Sequence, residues 1–233
     1  MADERVLLIT GASTGIGAET ARQAVARGWR VALGARSEDK LEALAGELGE
    51  EHALAHRCDV TDWEDQQAFV AATLERFGRL DAVLANAGFG AKRGFLEETP
   101  EQWRSMVLTN VLGVAYSIRA VLPHFTERGS GHFVITSSVA GRRPLPGSLY
   151  AATKHAVGAI GEGLRQELRN DDATRAIRVT LIEPGLVATP FFDNPPEDGL
   201  DADDIARAVM YALDQPEHVD VNEILVRPTA QES

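Results

Sequence analysis

Short apolar runs alternate with longer helix-patterned stretches along the whole chain, which predicts an α/β protein built on a parallel sheet. Three observations carry this expectation. The runs are brief, continuous and β-branched or aliphatic, as in strands covered on both faces. The stretches between them carry helix start signals. No period of 20–50 residues recurs, so a repeat architecture is set aside. In such a sheet the crossovers are right-handed and ligands bind beyond the carboxyl ends of the strands. Residues just after each strand are therefore the ones to read for function.

Taken in order, strands are expected at Val6–Thr10, Arg30–Leu33, Ala53–Cys58, Ala82–Ala85, His132–Thr136, Arg178–Ile182 and Glu223–Val226. Helices are expected at Gly15–Arg27, Glu38–Glu47, Trp63–Phe77, Pro100–His124, Tyr150–Asn170 and Asp203–Asp214. Asp62 stands where an N-cap belongs, and Thr99-Pro100 is a cap followed by proline at the first helical position. The longest irregular stretch runs from Glu183 to Ala202 and holds four prolines. Following a strand, it could fold over a bound ligand.

Composition bounds the class. At roughly 150 residues per domain, 233 residues make one domain, 1–233, with a core that needs no metal or disulfide. Lys and Arg number 23 against 35 Asp and Glu, a net charge of −12 that argues against non-specific binding to nucleic acid or anionic membrane. Cys58 is the single cysteine, so no intrachain disulfide can form, and a cytoplasmic location is expected. The Met-Ala-Asp-Glu-Arg start has neither the basic nor the apolar region of a signal peptide, and no run of 18 apolar residues suggests a membrane span.

Between the first strand and first helix lies Thr10-Gly11-Ala12-Ser13-Thr14-Gly15-Ile16-Gly17. Glycines there permit a tight turn and close backbone approach to a pyrophosphate, which the helix N-terminus then attracts. Alone, the stretch is also compatible with a plain glycine turn. After the second strand, Ala35 stands where an acid would hold the ribose of NAD, and Arg36 follows it. A guanidinium at that point suits a 2′-phosphate, so NADP(H) is expected over NAD(H), against the alternative of an ordinary surface arginine. Tyr150 and Lys154 share a helix face at i,i+4, and an ammonium near a phenol lowers its pKa toward the working range. Ser137-Ser138 end the fifth strand, where a hydroxyl could polarise a carbonyl. Asn110 sits inside the long preceding helix.

Together these residues resemble the short-chain dehydrogenase/reductase family in its compact form, from Val6 to about Pro228. The resemblance rests on Thr10–Gly17, Asp59-Val60, Ala85-Asn86-Ala87-Gly88, Asn110, Ser138, Tyr150-Ala151-Ala152-Thr153-Lys154 and Pro184-Gly185. It implies a three-layer Rossmann fold with a doubly wound parallel sheet of about seven strands. It implies Tyr150 as acid/base, Lys154 as the group that tunes it and binds nicotinamide ribose hydroxyls, Ser138 as the steadying hydroxyl, and Asn110 in a water-linked proton relay. Cofactor contacts are implied for Gly11, Ser13, Thr14, Gly15, Ile16, Gly17, Arg36, Asp59, Val60, Asn86, Ala87, Gly88, Pro184, Gly185, Val187 and Thr189, besides Tyr150 and Lys154. A homodimer or homotetramer through the helices bearing Asn110 and Tyr150 is implied as well. The C-terminal stretch looks like small NADP-dependent reductases, among them hydroxy-acid and serine dehydrogenases and clavulanate-pathway aldehyde reductases.

Some residues depart from the family pattern. Ala85 replaces a common second asparagine, Thr14 replaces a common basic residue, and Glu183 before Pro184-Gly185 has no evident role. The Ser138–Tyr150 interval is one residue short, which keeps Ser137 as an alternative. Lys92, Arg93, Arg142 and Arg143 follow strand ends and read first as solvated loop charges, second as a rim attracting a phosphate or carboxylate. No metal site is expected, since His52 and His56 lack further ligands at helpful spacing. The resulting expectation is hydride transfer between NADP(H) and a carbonyl or alcohol substrate (aldehyde, ketone or hydroxy acid). A catalytically silent NADP(H)-binding sensor is the rival. A sugar-nucleotide epimerase would need a further domain.

Overall fold

The computed structural model describes residues 4–90, 92, 94–144 and 149–231. Seven strands form one parallel sheet: β1 (Val6–Thr10), β2 (Arg30–Ala35), β3 (Ala53–Arg57), β4 (Ala82–Ala85), β5 (Gly131–Thr136), β6 (Ile177–Pro184) and β7 (Glu223–Val226). Their order is β3-β2-β1-β4-β5-β6-β7, so the chain reverses its winding between β1 and β4. Loops diverge at such a reversal and leave a crevice at the carboxyl ends.

Strand pleating sorts the core into two layers. Val6 and Leu8 point to the face covered by α3 (Trp63–Phe77), α5 (Gly113–Arg128) and α6 (Leu149–Arg169). Leu7 and Ile9 point to the other, covered by α1 (Gly15–Ala26), α2 (Glu38–Leu48) and α7 (Ala202–Leu213). Asp62 caps α3 by accepting from Asp65 N. Thr99 starts α4 (Pro100–Val107) with a reciprocal capping box to Gln102.

Three boundaries differ from the sequence expectation in ways that matter. β2 reaches Ala35, placing Arg36 directly at a strand end. β6 runs on to Pro184 because β7 pairs with it there, Glu183 opposite Leu225 and Pro184 opposite Val226. The irregular stretch thus begins at Gly185 rather than Glu183, and Ala202 belongs to α7. The helix expected over Pro100–His124 reaches Arg128 but is interrupted by a π-helical turn at Leu108–Leu112. Its 29 residues, Pro100–Arg128, are apolar and long enough to match a membrane span by composition. Met106, Val114, Ile118, Val121 and Phe125 nevertheless bury one face among the core side chains.

Candidate active site

The glycine stretch forms a cradle against the end of β4. Gly11 and Gly15 hold φ of +67° and +57°, a region that penalises side chains. A Cβ at Gly11 would lie 2.9 Å from Ala87 Cα, and one at Gly17 would overlap the Gly11 carbonyl oxygen. Thr10 and Asn86 lock the two sides together: Thr10 Oγ1 accepts from Asn86 N and Ala87 N at 3.0 and 3.2 Å, and Asn86 Nδ2 donates to Thr10 O at 3.3 Å. Thr136 Oγ1 steadies Asn86 Oδ1 at 3.2 Å. The α1 N-terminus has no side-chain cap from Thr14 and no acid in its first turn, which leaves its first N–H groups to an outside acceptor. Ser13 belongs to that turn, and Ile16 packs inward on the core.

Arg36 is exposed at the end of β2. Asp59, beyond β3, accepts from Thr61 N and Oγ1 at 3.0 and 2.8 Å. Against the cost of burial, these bonds and then the Arg36 charge hold its carboxyl below the usual range. Val60 is buried against Gly113. Across the crevice, Gly185 donates to Val226 O at 2.7 Å. Val187 is buried and bridges Leu200. Thr189 meets the space in front of Gly15, where an added Cβ would contact it at 3.4 Å.

The polar cluster forms on the β4–β6 side. The π-turn adds a residue to the helix at Asn110 and turns its fully buried amide toward Phe89. Asn110 Oδ1 accepts from Phe89 N at 3.0 Å, while Nδ2 donates to Phe89 O and Thr153 Oγ1 at 2.9 and 3.2 Å. Gly88 is adjacent: a Cβ there would stand 3.1 Å from Asn110 Oδ1 and 3.8 Å from Lys154 Nζ. Lys154 is buried and donates to Thr136 O at 2.8 Å. Ser138 caps a 3-10 turn (Val139–Gly141), accepting from Ala140 N at 3.1 Å and donating to Pro184 O at 3.4 Å. The Ser138 hydroxyl also bonds the Tyr150 phenol. Ser137 instead donates to Lys154 O at 3.3 Å, away from the phenol.

The electrostatics correct one expectation. Tyr150 is pushed up to about 12 by burial, a rise that the Ser138 bond opposes. Lys154 is pushed down to about 8, also by burial. The lysine was expected to lower the phenol, but its ammonium sits 5.8 Å from the ring centroid, and removal from water dominates both groups. Part of that cover is Phe191, whose ring meets Tyr150 edge-on at 5.8 Å and then Phe192 at 5.1 Å. A Cβ at Gly90 would lie 2.7 Å from Phe191 Cε1, so a side chain there would displace this ring. Phe191 and Phe192 are legible in sequence as two adjacent aromatics in the long loop after a strand, a pair that could cover an apolar part of a substrate; their contact with Tyr150 is not.

Of the rim cations, Arg142 is taken up by Glu183 and Glu223. Lys92 and Arg143 are exposed, and Arg93 lies outside the described residues. Grooves of about 290 and 300 Å³ lie elsewhere, between α3 and α5 and between α1 and α7.

A family model described as short chain dehydrogenase matches residues 5–199. An uncharacterized oxidoreductase of Staphylococcus haemolyticus is 42% identical over 228 residues, 96% of this chain and 97% of the relative. Three solved structures superpose closely. An alcohol dehydrogenase from the archaeon Thermococcus sibiricus, complexed with 5-hydroxy-NADP, has a TM-score of 0.89 and 35% identity, covering 99% of each chain. Serine dehydrogenase from Escherichia coli has a TM-score of 0.87 and 30% identity, covering 98% of this chain and 100% of its own. A 3-ketoacyl-(acyl-carrier-protein) reductase from Brucella melitensis, complexed with NADH, has a TM-score of 0.87 and 31% identity, covering 95% and 96%.

Proposed function

The chain belongs to the short-chain dehydrogenase/reductase family of oxidoreductases, and from that premise we propose that it interconverts a carbonyl compound and an alcohol with NADP(H). The observation that carries the reading is the convergence of Tyr150, Ser138, Lys154 and Asn110 across a crevice from a cradle of main-chain N–H groups. The cradle fits a dinucleotide because Gly11 and Gly17 leave no room for a Cβ, Gly15 holds a positive φ, and the α1 N-terminus has no side-chain cap. Gly11–Gly17 would hold the pyrophosphate, Asp59 and Val60 the adenine end, Asn86–Gly88 the adenosine side, and Pro184, Gly185, Val187 and Thr189 the nicotinamide end. A bound nicotinamide supplies the hydride acceptor or donor.

The chain's own residues supply the rest. Tyr150, protonated at neutral pH, donates its proton to the carbonyl oxygen during reduction and takes it back during oxidation. Ser138 orients that oxygen and shares a hydrogen bond with the phenol. Lys154 holds its ammonium beside the ring, and Asn110 fixes the Phe89 segment that forms one wall. Phe191 excludes water above Tyr150.

Arg36 supports the 2′-phosphate reading: it ends β2, it is exposed, and no acid precedes it. Fluorescence titration of NADPH and NADH on wild type and Arg36→Ala tests this. Loss of a charge-assisted contact should weaken NADPH by about 10- to 100-fold and leave NADH unchanged. Equal NADH and NADPH affinity in the wild type would overturn the NADP assignment. A cytoplasmic, self-associating enzyme belongs to the same proposal. Gly158 and Gly163 of α6 have nothing within 4 Å of an added Cβ, whereas Gly161 packs on Leu181. Two outward-facing glycines and the apolar, incompletely buried Pro100–Arg128 helix suit contact with a second copy, which light scattering would detect as a dimer or tetramer mass.

A further inference from the structure

The proposed chemistry leaves Arg142 and Glu183 unused, although both flank the Ser138 hydroxyl. Arg142 closes the 3-10 turn that Ser138 opens, its N–H bonded to Val139 O at 3.0 Å. Glu183 directly precedes Pro184, whose carbonyl accepts from Ser138 Oγ. The Arg142 guanidinium reaches Glu183 Oε2 with Nε at 2.8 Å and Nη2 at 2.5 Å, and also bonds Glu223 on β7.

The burial of the pair is lopsided. The Glu183 side chain is 5% exposed and the Arg142 side chain 42%. A carboxylate placed inside a strand end is costly unless paired, and two exposed partners would stabilise the fold at less cost. The geometry gives the placement a purpose. On its other side the turn is already wedged, because a Cβ at Gly141 would lie 2.7 Å from Ser137 Oγ and 2.8 Å from Lys154 O. The turn has no room to press further into α6, and the ion pair opposes its lifting away from β6.

We infer that Glu183 and Arg142 are positioning residues that hold the Ser138 turn against the end of β6, keeping the Ser138 hydroxyl between Tyr150 and Pro184 O. This rests on the roles proposed above for Ser138 and Tyr150. It also commits Arg142 to the protein, so a substrate carboxylate does not find it free.

Glu183→Gln keeps the shape and removes the charge; Arg142→Lys keeps the charge and removes the fork. Both are compared with Ser138→Ala, Tyr150→Phe and the Glu183→Gln/Ser138→Ala double variant. An aryl diketone with NADPH serves as the kinetic probe, beside NADPH titration, thermal unfolding and amide exchange. Glu183→Gln should lower kcat by about 10- to 100-fold, as expected for a sub-ångström to 1 Å misplacement, with NADPH affinity within about twofold. Arg142→Lys should fall between it and wild type. The double variant should lose no more than Ser138→Ala alone, since one residue acts through the other. The amides of Ala140 and Gly141 should exchange at least about tenfold faster in Glu183→Gln while those of β5 do not change. Full additivity, or lower thermal stability with wild-type kcat and unchanged exchange, overturns the inference. Should Ser138→Ala and Tyr150→Phe also keep full turnover, the functional reading fails instead, and amide exchange alone still decides whether the pair holds the turn.

Discussion

The two halves of the sheet present loops to one crevice by opposite means. Beside β1 the surface is largely main chain: Gly11, Gly15 and Gly17 strip it of side chains and the N-terminus of α1 has no side-chain cap. From β4 to β6 it is a mesh of buried polar side chains, with Asn110, Ser137, Ser138, Thr153, Lys154 and Glu183 all buried. On the proposed reading the first half holds the dinucleotide by shape, with no room for a Cβ at Gly11 or Gly17. The second would keep its packing under near-isosteric replacement and lose the proposed chemistry with a single oxygen or nitrogen. The proposed function thus separates binding from reaction along one sheet.

The sharpest break of that comparison is Tyr150→Phe. Removing the acid should cost about 10²- to 10⁴-fold in turnover. NADPH titration should show cofactor affinity unchanged; a comparable loss of affinity would merge the two halves. Gly17→Ala is the converse. Its Cβ would overlap Gly11 O, so about 1–3 kcal/mol of overpacking should appear as a lower unfolding temperature and about 10- to 100-fold weaker NADPH binding. If its Tm and affinity both match wild type, the cradle is less tight than the distances state.

A pH effect comes next and belongs to the polar half away from the crevice. His132 is buried, bonds Thr180 Oγ1 at 2.8 Å, and is pushed down to about 3 by burial. The unfolded imidazole gains its proton near 6.5 while the folded one resists it until about 3. Stability should therefore fall as pH drops through that window, by up to about 1.4 kcal/mol per pH unit. Urea melts at pH 7 and 5 should show a smaller loss in His132→Gln than in wild type. The smallest effect is Thr99→Ala, which opens the α4 capping box and should cost about 1 kcal/mol by denaturant melts without altering kcat.

Local signals made part of this legible from sequence. β1, β4 and β7 and helix α3 lie where their apolar runs and caps place them, and Gly11–Gly17 announces its own turn. What was hidden depends on partners far along the chain. β6 is extended by pairing with β7, some 40 residues on, and Glu183 acquires its partner 41 residues earlier. The π-turn at Asn110 has no local sequence mark, although it is what aims the amide. The direction of the Tyr150 shift was misread for the same reason. A spacing of four residues announces a lysine, but not the burial of both groups nor the Phe191 ring set against Tyr150.

That ring has a consequence for selectivity. On the proposed reading, a molecule entering above Tyr150 would compete with part of the protein, so its apparent affinity would be its intrinsic affinity scaled by the fraction of time the phenyl group stands aside. Flat apolar guests can exchange places with a phenyl group at little loss, whereas small hydrated ones bring nothing to offset its removal. Discrimination at this site begins with what the enzyme must give up.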